Sequence, residues 1–226
     1  MRFTNLDDES AEYQRAREEL RRAEVDLMVQ RERVAAQRRA LPAGPVLGDY
    51  VFDEGDADLA AGDEVTGRVR LAELFSGPDR PLIVYHLMFG KRQESPCPMC
   101  TMWIDGFNGV ARHVRQRADL VVVAAADLGA LRAHARRRGW HDLRLLSAGA
   151  STFKADLGSE DAEGNQDSRI SVFTAEPGGA VRHRYTSAPR LSDEFEQRGI
   201  DLLCPTWHLF DLTPTGRGDW YSALDY

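Results

Sequence analysis

The sequence contains no apolar run of about 18 residues, the length a helix needs to cross a bilayer, so no membrane-spanning segment is expected. Its opening stretch, Met1-Arg2-Phe3-Thr4-Asn5-Leu6-Asp7-Asp8, is acidic where a secretory leader would be basic and then apolar. The expected location is the cytoplasm. Positive charge is also in deficit: 29 Lys and Arg stand against 36 Asp and Glu, a formal net charge of -7. Nucleic acids and anionic membranes are bound by a net basic face that displaces counterions, so neither is an expected partner. Small molecules and proteins remain. Cysteine is scarce, with three among 226 residues. In a reducing compartment so few thiols do not build a disulfide framework, and a close C-x-x-C pair reads as redox or metal chemistry. Internal repeats and low-complexity segments are lacking too. The length and the 42% hydrophobic content suit one substantial core rather than two.

Glycine and proline are missing from about residue 6 to residue 41, where Arg, Glu, Ala and Gln dominate, and this composition predicts one long helix. Its apolar residues Tyr13, Leu20, Leu27, Val34 and Leu41 recur every seven positions, with Ala16 and Ala23 forming a partial second stripe. Such a narrow seam fits a second copy of the chain, giving a homodimer through this helix, or the body of its own domain. Pro42, Gly44 and Pro45 end the helix. The expected organisation is an N-terminal helical arm over 1–45 and a folded domain over 46–226 with an irregular C-terminal extension.

Beyond the arm, Tyr50-Val51-Phe52 starts a strand, Val65 to Leu71 alternates in strand fashion, and Leu71 to Phe75 forms a helical turn. Leu82 to Phe89 is an almost unbroken apolar run, as in a central strand covered on both faces. A helix follows, opened by Cys97-Pro98-Met99-Cys100 and reaching about Arg117, with Trp103, Phe107, Val110 and Val114 on one buried face. Leu120 to Ala125 is a second buried strand. Asp127 caps a helix over residues 128–138 that Gly139 stops, and residues 143–147 form a third strand. Alternating strands and helices predict a parallel sheet with crossover helices. Residues 149–167 read as loop, residues 170–174 and 181–186 as a hairpin turning at Pro177-Gly178-Gly179, and the rest as a short helix with irregular structure.

The chemistry concentrates in the cysteine pair. A thiol attacks only as thiolate, and a free cysteine near pKa of about 8.5 is mostly protonated at neutral pH. At the first turn of a helix, unpaired N–H groups and the macrodipole favour the anion. Cys97 is therefore the expected nucleophile and Cys100, one turn deeper, the resolving thiol. Pro98 suits the first helical position, where its missing N–H costs nothing. His86, at the end of the central strand, is a candidate for proton transfer or a hydrogen-bonded core residue. Trp103 supports the site as core or as substrate platform, and Arg217 either reaches the thiolate or holds the tail down. A metal reading would gather Cys97, Cys100, Cys204 and His208 as three sulfurs and an imidazole, the ligand count of a structural zinc site. A redox-inactive binding or assembly protein on the same fold is the third reading.

A strand, a C-x-x-C pair opening a helix, a further strand and helix, and a late hairpin form the order of a thioredoxin-like domain. More closely, several segments resemble the domain of unknown function 899 family, a bacterial family of predicted dithiol-disulfide oxidoreductases. These are residues 85–90, Cys97 to Cys100 with Trp103 and Asp105, Gly139-Trp140, Ser151-Thr152-Phe153 with Asp156-Leu157-Gly158, and Asp211 to Arg217. The resemblance spans nearly the whole chain. It implies an α/β thioredoxin-like three-layer fold with a long N-terminal helical arm. It also implies a thiol-disulfide activity, but no substrate. The dithiol chemistry itself leads us to expect a protein or small-molecule disulfide or a peroxide as substrate and an external thiol reductant, with no cofactor. The sequence departs from thioredoxins in two places: Pro96-Cys97-Pro98-Met99-Cys100 stands for the familiar Trp-Cys-Gly-Pro-Cys, and Asp167-Ser168-Arg169, ahead of the late hairpin, lacks the proline that thioredoxins hold in cis beside the active site.

Overall fold

A computed structural model describes residues 7–194 and 198–225. Residues 1–6, 195–197 and 226 lie outside the described residues, among them the first position of the expected long helix and part of the C-terminal extension. The chain divides into two compact units, Met1–Pro42 and Ala43–Tyr226. In the first, helix α1 spans Ala11–Arg39, and the Ser10 hydroxyl caps it by accepting the Tyr13 amide at 3.1 Å. The helix starts late because the chain bends before the cap, with Asp8 at φ 67. The seam positions from Tyr13 to Val34 lie within α1, Leu41 lies beyond it, and no residue of the helix is buried.

The second unit is built on seven strands: β1 (Val51–Glu54), β2 (Gly67–Arg70), β3 (Leu82–His86), β4 (Asp119–Ala124), β5 (Arg144–Ser147), β6 (Arg169–Ala175) and β7 (Val181–Ser187). They form one sheet in the order β2-β1-β5-β4-β3-β6-β7. β3, β4 and β5 are parallel, linked by α2 (Pro98–Val114) and α3 (Leu128–Arg138). β6 pairs antiparallel with β3 and turns into β7. Two short helices, α4 (Phe153–Asp156) and α5 (Pro205–Asp211), complete the unit. A central parallel strand followed by the cysteine helix, flanked by a second parallel strand and by an antiparallel hairpin, is the thioredoxin-like arrangement. None of the described helices is long and apolar enough to cross a membrane.

β3 is mostly apolar because both its faces are covered, and alternate side chains feed two cores. Tyr85 and Leu87 join Met99, Cys100, Trp103, Ile104 and Phe107 of α2 and Leu131 of α3. Leu82 and Val84 join Phe52, Leu71, Leu74, Phe153 and Phe173 on the other side. α2 has its apolar positions three and four apart, which places the cysteine end against the first core. Asp105 ties α2 to the end of α3 by accepting Trp140 Nε1–H at 2.7 Å and pairing with Arg138.

Two differences from the sequence expectation bear on the site. The central strand ends at His86 instead of Phe89, because the next carbonyls bond outside the sheet: that of Leu87 accepts Lys154 Nζ and that of Met88 accepts the Cys97 amide. Within the expected loop, residues 153–156 form α4, a single turn too short to show a periodicity. It seats Phe153 and Lys154 side by side, both fully buried.

Candidate active site

Cys97 is the N-cap of α2, and Pro98 occupies the first helical turn, where no N–H is needed. The backbone of Cys97 is fixed from both sides. Its amide donates to Met88 O at 3.0 Å, and its carbonyl accepts the Thr101 amide at 3.0 Å and the Thr101 hydroxyl at 3.1 Å. Its sulfur accepts the Cys100 amide at 3.5 Å. Both cysteines are reduced, Cys97 half-buried and Cys100 buried. The Cys100 thiol, donating to the Cys97 sulfur, is the main cause that lowers the Cys97 pKa from 9.0 to about 6, against the opposing push of burial. The Cys100 and Met99 amides and the Tyr221 hydroxyl act in the same direction. Burial drives Cys100 the other way, well above the ordinary thiol value, and the neighbouring Cys97 anion adds to it, while the Tyr85 hydroxyl and the Met88 amide oppose it. The two sulfurs are thus chemically distinct: one ionises readily and the other keeps its proton and donates it.

A cleft of about 450 Å³ opens over the pair, lined by Met88, Cys97, Met99, Cys100 and Trp103 and, from later in the chain, by Gln166, Asp167, Ser168, Pro189, Arg190 and Tyr221. Tyr221 reaches the Cys97 sulfur with its hydroxyl, and burial followed by the Cys97 charge pushes its own pKa up to about 12. Tyr85 lies beneath, fully buried, its hydroxyl 2.9 Å from Ser168 Oγ. Ser168 therefore stands beside the dithiol in the stretch before β6, and no described peptide bond is cis.

The remaining sequence candidates separate. Trp103 is buried in the core and also borders the cleft, with its indole N–H unpartnered. His86 faces the other core: its ring stacks on Phe153 at 5.3 Å, and its two nitrogens lie 3.0 Å from Ser159 Oγ and 3.0 Å from Ser171 Oγ. Burial pushes its pKa well down, so it is neutral, and β3 stands between it and the sulfurs. Arg217 lies over the Trp207 ring at 4.9 Å and does not line the cleft. The four-ligand metal set is not assembled, since the described residues contain no cluster of three or more His, Cys, Asp and Glu able to hold an ion. Cys204 is buried in the first core and donates to Thr206 Oγ1 at 3.4 Å. Sequence reasoning missed Tyr85, Ser168, Lys154 and Tyr221. For Tyr85 a signal existed, as the only hydroxyl on the core face of an otherwise apolar strand; Tyr221 sits in a segment without pattern.

The family model described as "Bacterial protein of unknown function (DUF899)" matches residues 4–225. No curated protein sequence matches the chain. Among solved structures, the chain is similar to peroxidoxin BcpB from Mycobacterium tuberculosis, at 19% identity and TM-score 0.46, covering 69% of this chain and 88% of that one. It is similar to Mycobacterium tuberculosis AhpC at 14% identity and TM-score 0.48, covering 77% of this chain and 97% of that one. The reduced 2-Cys peroxiredoxin of Plasmodium vivax has 11% identity and TM-score 0.48, covering 71% of this chain and 91% of that one.

Proposed function

The chain belongs to the bacterial family of proteins of unknown function DUF899, and we propose that it is a dithiol-disulfide oxidoreductase with Cys97 as nucleophile and Cys100 as resolving thiol. One observation carries this reading: Cys97 caps α2 with its sulfur bonded by the Cys100 amide and thiol, which favours the ionised form. The Cys97 thiolate attacks one sulfur of a substrate disulfide; the substrate S–S bond breaks, and the departing thiolate takes a proton from water. Cys100 then loses its proton, attacks the Cys97 sulfur and displaces the second substrate thiol. Two thiols leave and a Cys97–Cys100 disulfide remains, to be reduced by an external dithiol. With a peroxide, Cys97 becomes a sulfenic acid as the O–O bond breaks, and attack by Cys100 releases water and closes the same disulfide. Protein or small-molecule disulfides and peroxides are the substrate class, with no resident cofactor. The setting is the cytoplasm, and the seven-residue seam of α1 pairs two copies of the chain.

Alkylation and mass spectrometry before and after mild oxidation test this reading. A loss of two protons confined to Cys97 and Cys100 is expected, and a Cys100→Ser variant should hold a substrate thiol on Cys97 as a mixed disulfide. If the pair stays reduced while Cys97 oxidises irreversibly, the dithiol mechanism is refuted.

A further inference from the structure

The sequence uses Arg 27 times and Lys only twice, at Lys91 and Lys154, and it is Lys154 that is enclosed, with no exposed surface. An enclosed ammonium without a charged partner is strongly unfavourable. Nζ of Lys154 donates to Leu87 O at 2.7 Å, and no carboxylate pairs with it among the described residues. The next two groups along that strand end belong to the dithiol: the Met88 amide points at the Cys100 sulfur, and the Met88 carbonyl accepts the Cys97 amide. The ammonium and the resolving thiol are therefore seated on consecutive residues. Charged and titratable groups facing Lys154 are Cys100 from α2, Glu160 and Asp167 from the loop before β6, and His86 from β3. Glu160 is half-buried and Asp167 exposed, His86 is buried but neutral, and Cys100 is the one of these groups able to carry negative charge that is enclosed with the lysine. Burial lowers Lys154 to about 8, and Cys100 is the first of the three anionic groups that oppose the shift.

We propose that Lys154 is the charge partner of Cys100, its ammonium stabilising the Cys100 thiolate when that thiolate attacks the mixed disulfide. The proposal rests on the exchange reaction above. In that step the Cys100 proton leaves to water in the cleft, the Cys97–Cys100 bond forms, and the bond from Cys97 to the substrate sulfur breaks as the substrate thiolate departs. Lys154 neither gains nor loses a proton; its positive charge offsets the negative charge that burial would otherwise forbid on Cys100. A lysine suits this place better than an arginine, being a compact point charge.

The test titrates Cys100 alone, by thiolate ultraviolet absorbance, in a background that carries both Cys97→Ser and Cys204→Ser, with Lys154 retained, Lys154→Met or Lys154→Arg. The methionine variant should raise the Cys100 midpoint by about one unit or more, and arginine should restore much of the shift. An unmoved midpoint in folded Lys154→Met protein overturns the proposal. The wild-type chain gives a second measurement that needs no variant of Lys154. With only two lysines, Cε-labelled protein gives two lysine signals, and the Lys154 midpoint should fall when the dithiol is oxidised, since the negative charge that the reduced pair shares through the Cys100–Cys97 hydrogen bond is then gone. Equal midpoints in the reduced and oxidised protein overturn it as well. Disulfide formation is read separately by mass: its absence overturns the exchange reaction itself, whereas a formed disulfide with unmoved midpoints overturns only the role of Lys154.

Discussion

Replacing Cys100 by alanine should make Cys97 a weaker acid, by an amount that the geometry sets. In the folded protein the largest influence on Cys97 is the hydrogen bond donated by the Cys100 thiol, which helps bring its pKa to about 6. A hydrogen bond to a charged group contributes about 1.5–3 kcal/mol net, and one pKa unit corresponds to about 1.36 kcal/mol. Removing the donor while keeping the Cys100 amide should therefore move the midpoint up by about one to two units. The thiolate fraction at neutral pH then falls from about nine-tenths to between about a half and a tenth. Higher intrinsic nucleophilicity of the more basic thiolate offsets part of that loss. The assay is the rate of iodoacetamide alkylation at Cys97 across a pH series, with serine at position 100 as the control that keeps a donor. Wild type should reach half its plateau near pH 6, Cys100→Ser close to it, and Cys100→Ala well above, all three converging in alkali. A wild-type midpoint at the ordinary thiol value, or an alanine variant that titrates like wild type, would refute the assignment of Cys97 as the activated thiol.

Tyr221→Phe removes a weaker donor to the same sulfur, so the Cys97 midpoint should rise by less than in Cys100→Ala, as read by the same alkylation series. The reduced protein should also gain stability with pH. Cys97 titrates at about 6 when folded against an ordinary 9.0, so the unfolded chain binds more protons between those values. Its contribution is fully present above the unfolded value and is lost as pH falls through the folded one; urea melts of wild type against Cys97→Ser, both reduced, should show a pH slope in that window that the serine variant lacks. Phe153→Ala should cost about 3–5 kcal/mol in urea unfolding, because the ring is fully buried among Tyr50, Phe52, His86 and Phe173. Asp105→Ala leaves the buried Trp140 N–H without its acceptor and should cost about 1–3 kcal/mol, with asparagine milder. Deleting residues 1–42 should halve the molecular mass measured by light scattering beyond the loss of the segment itself, if α1 pairs two copies.

Much of the architecture is legible in local pattern. The almost unbroken apolar run of β3, the alternation of strands and helices after it, Pro98 behind Cys97, and Gly139 ending α3 in a left-handed turn each follow from a local rule. Periodicity could not show the end of β3, because Leu87 and Met88 are as apolar as the residues before them. It was their carbonyls, taken by Lys154 and Cys97, that released the chain from the sheet. His86 illustrates a different limit. A titratable residue beside the cysteine strand reads as a candidate base, yet its position in the alternation points it into the second core, between Ser159 and Ser171. Arg217 reads as an anion-binding group and instead packs on Trp207, because stacking over a ring satisfies a guanidinium as a distant thiolate would.

By itself the sequence determined the pair of sulfurs, their order and their place at a helix start, because a cap, a proline and a three-residue spacing are properties of neighbours along the chain. Only the tertiary structure decided what surrounds them. Tyr85, Lys154, Ser168 and Tyr221 come from four separated segments, and they meet at the dithiol because β3 is an interior strand of the sheet with chain converging on its end from both sides. The acidity of each sulfur depends on those neighbours and on burial, both of which are distances in space that no local spacing encodes.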